Sequence, residues 1–411
     1  IMLTALDRYQ AFVLDGVTGS GKTEVYLQLA ARVLENQRQV LILVPEIGLT
    51  PQLLKRFQAR FNQPMAALHS HITDKARLDA FERARTNQIK IIIGTRTALF
   101  TPMPALGLII IDEEHDGSFK QQEGIRYSAR DAALVRAHHA KIPIILGSAT
   151  PSLESLHNCI NKKYTRLCLT QKAENQTPLH YELIDLRRLR LTEGLAEPTL
   201  KTIQKHVNNN NQVLVFINRR GFSPVLLCHD CGWMADCRAC DSHFTLHRKK
   251  NQLICHHCGL KRQIPEICDT CQGDDLVPVG SGTQRVHEYL STEFPDTQIA
   301  RIDRDEVRQN KQLLETLAKI ESGESQILIG TQMLAKGHHF PNLTLVVILD
   351  ADAGFYNQDF RALERLGQLI TQVSGRAGRA LHPGEVIIQT HFPDNPLLNQ
   401  LIQSGYAAFT E

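Results

Sequence analysis

No stretch of the 411-residue sequence approaches eighteen consecutive apolar residues, so it offers no helix able to span a bilayer. The first residues lack the basic flank, apolar stretch and small-residue cleavage site of a secretory leader; a cytoplasmic location with no membrane partner is expected. No short-period repeat or low-complexity tract stands out, which speaks against a repeat array. Neither sign of charge dominates: the net charge is +3, so a nucleic acid must be met by local patches and not by a global field. What is present is globular usage, 42% hydrophobic and 22% charged, in a chain long enough for two ordinary domains and a small third one.

Ten cysteines could suggest disulfides, but eight of them form four C-x-x-C pairs: Cys228/Cys231, Cys237/Cys240, Cys255/Cys258 and Cys268/Cys271. In a cytoplasmic context that pairing favours reduced thiolates on metal. Fourteen residues separate the second pair from the third, close to the spacing of a zinc ribbon, which leaves the outer pairs to share a second ion. The expectation is nested: Cys228, Cys231, Cys268 and Cys271 on one zinc, Cys237, Cys240, Cys255 and Cys258 on the other, with consecutive pairing as the competitor. His229, His247, His256 and His257 lie close by, but eight thiolates already fill two tetrahedra. Cys159 and Cys168, outside the pairs, read as small buried hydrophobes. Residues 228–275 carry six Lys/Arg against seven Asp/Glu, and each all-thiolate site adds about −2. Such a module is a poor clamp for DNA; docking a protein partner or wedging strands by shape suits it better.

Apolar runs bounded by turns recur at 12–14, 40–44, 89–93, 108–111 and 142–146, with helical patterns between them, and again at 213–217, 299–302, 327–329, 345–349 and 386–388. This is the signature of an α/β protein with two parallel-sheet lobes. Val25, Leu29 and Val33 repeat at i, i+4, i+8, giving a first helix that faces its sheet. The polar, poorly periodic stretch 171–198 reads as the linker. The expected division is a first lobe over 1–175, the start of a second over 176–227, the cysteine insertion over 228–275 and the rest of the second lobe over 276–411.

Gly16, Val17, Thr18, Gly19, Ser20, Gly21, Lys22 and Thr23 spell G-x-x-x-x-G-K-T between an apolar run and a helix. Glycines let backbone N–H groups wrap phosphates, Lys22 reaches the β- and γ-phosphates of ATP, and the Thr23 hydroxyl ligates magnesium. The run 109–111 ends in Asp112, Glu113, Glu114 and His115, where Asp112 is placed to bind the metal and Glu113 to orient or deprotonate the hydrolytic water. In the segment 372–379, Arg376 and Arg379 stand three residues apart at an expected helix end, close to one turn. Both guanidinium groups can then point into the cleft between lobes and offset charge on the transferring phosphate. Between these motifs, 116–131 sets Phe119, Arg126, Tyr127 and Arg130 among Gly, Ser and Gln, a composition suited to stacking on bases while holding phosphates.

The segments Asp112 to His115, 147–151, 94–97 and 329–341 resemble the ordered motifs of superfamily 2 helicases. More narrowly, 44–50, 218–224 and the nested cysteines resemble the bacterial replication-restart helicases of the primosomal protein N′ family, over essentially the whole chain from Phe12 onward. The resemblance implies two RecA-like lobes with a double-zinc module inserted in the second. It further implies ATP-driven 3′ to 5′ unwinding of DNA at stalled forks and assembly of a primosome. The partners that follow are forked or single-stranded DNA, primosome components and single-strand-binding proteins, for a chain expected to act as a monomer. Only 15 residues precede Gly16, so the chain reads as a helicase core, and Asp7 stands where the family places an adenine-contacting glutamine. Two rival readings are a double-strand translocase that remodels bound proteins and a loading scaffold that uses ATP only as a switch. Glu113, Arg376 and Arg379 argue against the scaffold, because a binding switch needs no water-activating carboxylate.

Overall fold

Isoleucine-rich runs fit a strand covered on both faces, and that is where they fall. β2 (Gln39–Leu43), β4 (Ile91–Gly94), β5 (Leu106–Asp112) and β6 (Pro143–Ser148) are buried almost throughout, as is β1 (Gln10–Gly16). With β3 (Met65–Leu68) and β7 (Thr165–Leu169) they form a seven-stranded parallel sheet in the order β3-β4-β2-β5-β6-β1-β7. The period of two divides β5 between two cores: Ile109 and Ile111 pack on one side of the sheet, Leu108 and Ile110 on the other. Each such side chain contributes about 1.5–3 kcal/mol by burial. This computed structural model describes residues 1–45, 50–170, 179–218, 226–240, 244–247, 251–255, 258–278, 283–302, 316, 318–331, 340, 342–356, 359–378 and 383–411. It divides into two units, Ile1–Asn175 and Gln176–Glu411.

Helices cover both faces of the first sheet: α1 (Lys22–Glu35), α2 (Thr50–Arg60), α3 (Asp74–Arg85), α4 (Ala129–Ala140) and α5 (Leu153–Ile160). Thr73, Ser128 and Ser152 cap α3, α4 and α5 with side-chain oxygens that accept backbone N–H bonds. The buried stripe of α1 runs through Tyr26, Leu29, Ala30 and Val33, while Val25 is only partly buried. Val25 packs against the same core as Leu29 and Val33, so the expected face meets the sheet, and Tyr26 adds a fully buried tyrosine beside it.

The second unit holds a six-stranded parallel sheet. Its strands are β8 (His180–Asp185), β11 (Gln212–Ile217), β17 (Ile299–Ile302), β18 (Ile327–Gly330), β19 (Leu343–Leu349) and β20 (Glu385–Thr390), in the order β17-β18-β11-β19-β20-β8. Again the alternation serves two cores: Leu345, Val347 and Leu349 face one, Val346 and Ile348 the other. The expected linker is corrected here. Residues 171–178 lie outside the described residues, but 180–198 is structured: β8 forms the sheet edge, β9 (Leu191–Thr192) and β10 (Leu195–Ala196) form a small hairpin, and α6 (Glu197–Asn208) begins. An edge strand pairs on one side only and stays half-exposed, so β8 carries a polar sequence that conceals it.

The cysteine-rich insertion leaves the lobe through β12 (Leu226–Cys228) and returns through β16 (Leu276–Pro278), which pair antiparallel and close its base. Within it, β13 (Thr245–His247), β14 (Gln252–Ile254) and β15 (Lys261–Gln263) form a three-stranded antiparallel sheet. A separate small core holds Leu226, Ala235, Phe244, Leu246 and Leu253 with Cys237 and Cys255. The chain then continues into α7 (Thr283–Glu293). Cys159 is only partly buried and Cys168 is exposed, correcting their expected burial; β7, which carries Cys168, alternates at the edge of the first sheet. Among the described residues no helix is long and apolar enough to cross a membrane.

Candidate nucleotide site and metal centres

β1, β6 and β5 are successive neighbours, and their register aligns Asp15 with Ser148 and Asp112 with Gly147. The loop after β1, the segment after β6 and the acidic run after β5 therefore emerge side by side at the carboxyl edge of the first sheet, where open α/β sheets hold ligands. Gly19 and Gly21 take φ of 83° and 85°, left-handed values that suit glycine, and α1 begins at Lys22. The backbone amides and the positive end of α1 make the loop an anion receptor. Lys22 Nζ donates to the Gly16 carbonyl at 2.7 Å, and Ser20 Oγ is buried with no hydrogen-bond partner.

Asp112 is the last residue of β5, and Glu113 turns into the left-handed region at φ 51°. A non-glycine residue held there stores strain, which is concentrated at functional sites. Burial, and next the neighbouring Glu113 charge, push the Asp112 carboxyl up to about 6, while Lys22 and a hydrogen bond from Tyr26 oppose the rise. Tyr26 is fully buried and its Oη donates to Asp112 Oδ1 at 2.9 Å; burial and the Asp112 charge hold its own phenol in the neutral form. Gly147 makes room for it, since a Cβ there would fall 1.7 Å from the Tyr26 oxygen. Glu113 Oε2 is buried without a hydrogen bond, 3.6 Å from His115 Nδ1, and that nitrogen lies 2.7 Å from Ser148 Oγ. An orphaned carboxylate oxygen costs about 1–3 kcal/mol, which a water or ligand bound there offsets. A raised Asp112 beside Glu113 likewise fits a site for a hard divalent cation.

Glu114 turns the other way. It is buried and accepts from Ser152 N at 2.7 Å, Ser155 Oγ at 3.0 Å and Arg130 at 3.1 Å, tying β5 to the starts of α4 and α5. Two residues expected to face a nucleic acid are therefore committed inside: Arg130 to Glu114, and Phe119 to the core. Arg126 and Ile125 remain exposed, and Tyr127 packs edge-on against Phe100 with ring centres 5.2 Å apart. Tyr26 and Glu114 were missed from sequence. The available signals were a tyrosine inside the apolar stripe of α1, and a third carboxylate followed at distance by Ser152 and Ser155.

In the second unit the helix Ala362–Ser374 ends before Arg376, which is buried just beyond it. Arg376 therefore lies past the end of that helix. Arg379 lies outside the described residues, as do 46–49 of the segment 44–50, 219–224 of 218–224, and 332–339 with 341 of the segment 329–341.

The eight cysteines gather into two groups of four: Cys228, Cys231, Cys268 and Cys271, and Cys237, Cys240, Cys255 and Cys258. Sulfur–sulfur separations are 3.6 and 3.7 Å in the first and 3.5 and 3.6 Å in the second. These are far beyond a disulfide and close to the ~3.8 Å edge of a tetrahedron with zinc–sulfur bonds of about 2.3 Å. Both groups therefore fit zinc. In each centre backbone amides turn toward sulfur, as Ala239 N does to Cys237 and Thr270 N to Cys268. His229 and His247 are absent from both groups, and His256 and His257 lie outside the described residues.

A DEAD/DEAH box helicase family model matches residues 2–159, and a model of the PriA DNA helicase Cys-rich region domain matches 237–263. The sequence is similar to that of replication restart protein PriA from Haemophilus influenzae, 53% identical over 98% of this chain and 55% of the relative. Against PriA of Bacillus subtilis it is 40% identical, over 98% of this chain and 50% of the relative. The chain thus spans about half the length of the curated relatives it matches. Solved structures similar in fold include the DUF1998 helicase MrfA bound to DNA (TM-score 0.55, 14% identity, 98% of this chain and 49% of that one). Another is S. cerevisiae Dbp5 bound to RNA and ADP BeF3 (TM-score 0.57, 14% identity, 97% and 84%). The two sheets are RecA-like lobes.

Proposed function

The chain belongs to the PriA family, and from that premise we propose that it is the motor of a replication-restart enzyme. It hydrolyses ATP with magnesium and moves 3′ to 5′ on DNA, separating strands at stalled forks and helping to assemble a primosome. The observation that carries the reading is the joint emergence of the Lys22 loop, Asp112 and Glu113 at one sheet edge, with buried oxygens of Ser20 and Glu113 lacking partners. The loop amides and Lys22 hold the β- and γ-phosphates, and Asp112 and the Thr23 hydroxyl hold magnesium. Magnesium, when bound, neutralises charge on the phosphate oxygens. Glu113 takes the proton of the attacking water as its oxygen bonds to the γ-phosphorus and the bond to the β-phosphate oxygen breaks. Arg376 and Arg379 supply positive charge to the transferring phosphoryl group. Two zinc ions hold the insertion together structurally. The enzyme works as a monomer in the cytoplasm, with forked or single-stranded DNA, single-strand-binding protein and primosome components as partners.

The deciding measurement is ATP turnover with and without single-stranded DNA. Turnover is expected to rise with DNA; none, or turnover indifferent to DNA, would remove the motor reading. Strand displacement on forked and blunt duplexes, with 3′ and 5′ tails, then separates unwinding from translocation and gives the polarity.

Tyr26→Phe tests Asp112. The Asp112 carboxyl already sits above its ordinary value, and Tyr26 is one of the groups holding it down, so losing the donor raises it further. Raising a carboxyl's folded pKa removes its charge over a higher pH range. The acid limb of kcat/KM is therefore expected to move up by roughly half to one pH unit, from about 1 kcal/mol per hydrogen bond. An unmoved limb would show that Asp112 does not set it.

A further inference from the structure

The middle residues of the two knuckles that build the outer metal centre face in opposite directions. His229 lies between Cys228 and Cys231, and Asp269 between Cys268 and Cys271. His229 is buried, with Nδ1 3.1 Å from Nε2 of His391, and Nε2 bonded to the Leu189 carbonyl. His391 follows β20 and is itself buried; its Nδ1 lies 2.9 Å from Asp352 Oδ2, and its backbone N–H donates to the same oxygen at 2.8 Å. Asp352 follows β19 and also accepts from Thr390 Oγ1. Leu189 lies in the turn region after β8. Since β19, β20 and β8 are parallel neighbours, one histidine of the insertion touches the segments leaving the carboxyl ends of β20 and β8, and reaches the segment after β19 through His391 and Asp352. The backbone approaches here as well: a Cβ on Gly232, next after Cys231, would lie 3.6 Å from the His391 carbonyl oxygen.

Asp269 faces the rest of the insertion. It receives both terminal nitrogens of Arg262 on β15 at 2.7 Å each, and Arg238, from between Cys237 and Cys240, stands 3.6 Å away. The outer centre is therefore bonded through His229 to the lobe and through Asp269 to the ribbon that carries the inner centre. A structural cap with no further role would need neither a buried histidine pair nor a fork–fork ion pair at the opposite knuckle.

We propose that the outer four-cysteine centre is the joint that sets the position of the zinc ribbon on the second lobe, with His391 and Asp352 as positioning residues acting through His229. Displacements of the β19 and β20 ends then reach the ribbon through this contact. The part of the inference that concerns strand separation rests on the motor reading above; the part that concerns the metal centre does not.

The test uses the full chain with cadmium-113 in place of zinc, read by NMR, and the outer resonance assigned from its loss in Cys268→Ser. His391→Leu is expected to shift the outer resonance and to speed chelator exchange at that centre about tenfold, leaving the inner resonance in place. Asp352→Asn should act in the same direction. In the zinc-loaded chain, DNA-stimulated ATP turnover should stay within about twofold while fork unwinding falls about tenfold. Two unmoved resonances, or both displaced together, would overturn the joint, as would turnover and unwinding falling in parallel. If His391→Leu does not fold, His229→Gln, on the insertion side of the contact, carries the same expectations. Should the parent chain fail to unwind DNA, the motor reading falls, and the cadmium spectra still decide the joint.

Discussion

Lys22→Ala is expected to reduce ATP turnover by on the order of 10²–10³ or more, while the melting temperature without nucleotide moves by no more than a few degrees. The two halves of this expectation come from different contacts. Among the described residues Lys22 makes one hydrogen bond, to the Gly16 carbonyl, and it is not part of the packed cores on either side of the sheet. Losing such a bond costs about 1 kcal/mol. Its ammonium also favours an ionised Asp112, whose carboxyl otherwise rises through burial and through Glu113. The variant thus loses both the charge that meets the phosphates and a support for the carboxylate proposed to hold magnesium. Turnover is read by phosphate release and stability by a thermal melt on the same preparation; full turnover in the variant would remove the loop at 16–23 from the catalytic site.

How much of this was legible in the sequence depends on how many faces of an element are buried. Runs such as Ile91-Ile-Ile or Leu108 to Ile111 are covered on both sides and announce themselves by composition. β3, β7 and β8 sit at sheet edges and take mixed burial, and their alternation is diluted by polar residues, so the segment of β8 has the composition of a linker. The loop at 16–23 and the carboxylates at 112 and 113 were legible because phosphate chemistry fixes both residue type and spacing. Tyr26, Glu114 and His391 were not. Each acts through a partner far away in sequence, at separations of 86 for Tyr26 to Asp112 and 162 for His229 to His391, and no local pattern encodes a contact of that kind. The nested cysteines are the exception among distant contacts. Four thiolates around one ion must be supplied in pairs, so the pairing order was open to argument before the structure placed Cys228 beside Cys271.

Removing metal should separate the insertion from the lobes. Its core is small, and two of its buried members, Cys237 and Cys255, belong to the inner centre, so without metal the apolar area left is too little to hold the fold. Structural zinc contributes about 10–16 kcal/mol in small domains of this kind. The lobes keep their own cores, which include none of the eight ligand cysteines. Exhaustive chelation is therefore expected to make 228–275 protease-sensitive while the lobes remain protected. The two centres should differ when lost singly. Cys228 and Cys271 stand 43 residues apart at the base beside β12 and β16, whereas Cys237 and Cys258 are 21 apart and enclose only β13 and β14. Cys268→Ser should lower the zinc content from two ions to one and open the base of the insertion, outside the ribbon at 237–263, to cleavage. Cys255→Ser should also leave one ion, but confine cleavage to the ribbon around 237–263. Metal analysis with mapped limited proteolysis reads both, and anomalous scattering at the zinc edge identifies the remaining ligands. An ion held by Cys228, Cys231, Cys237 and Cys240 in either variant would replace nesting with consecutive pairing, and equal cleavage patterns would show that the base does not depend on the outer centre.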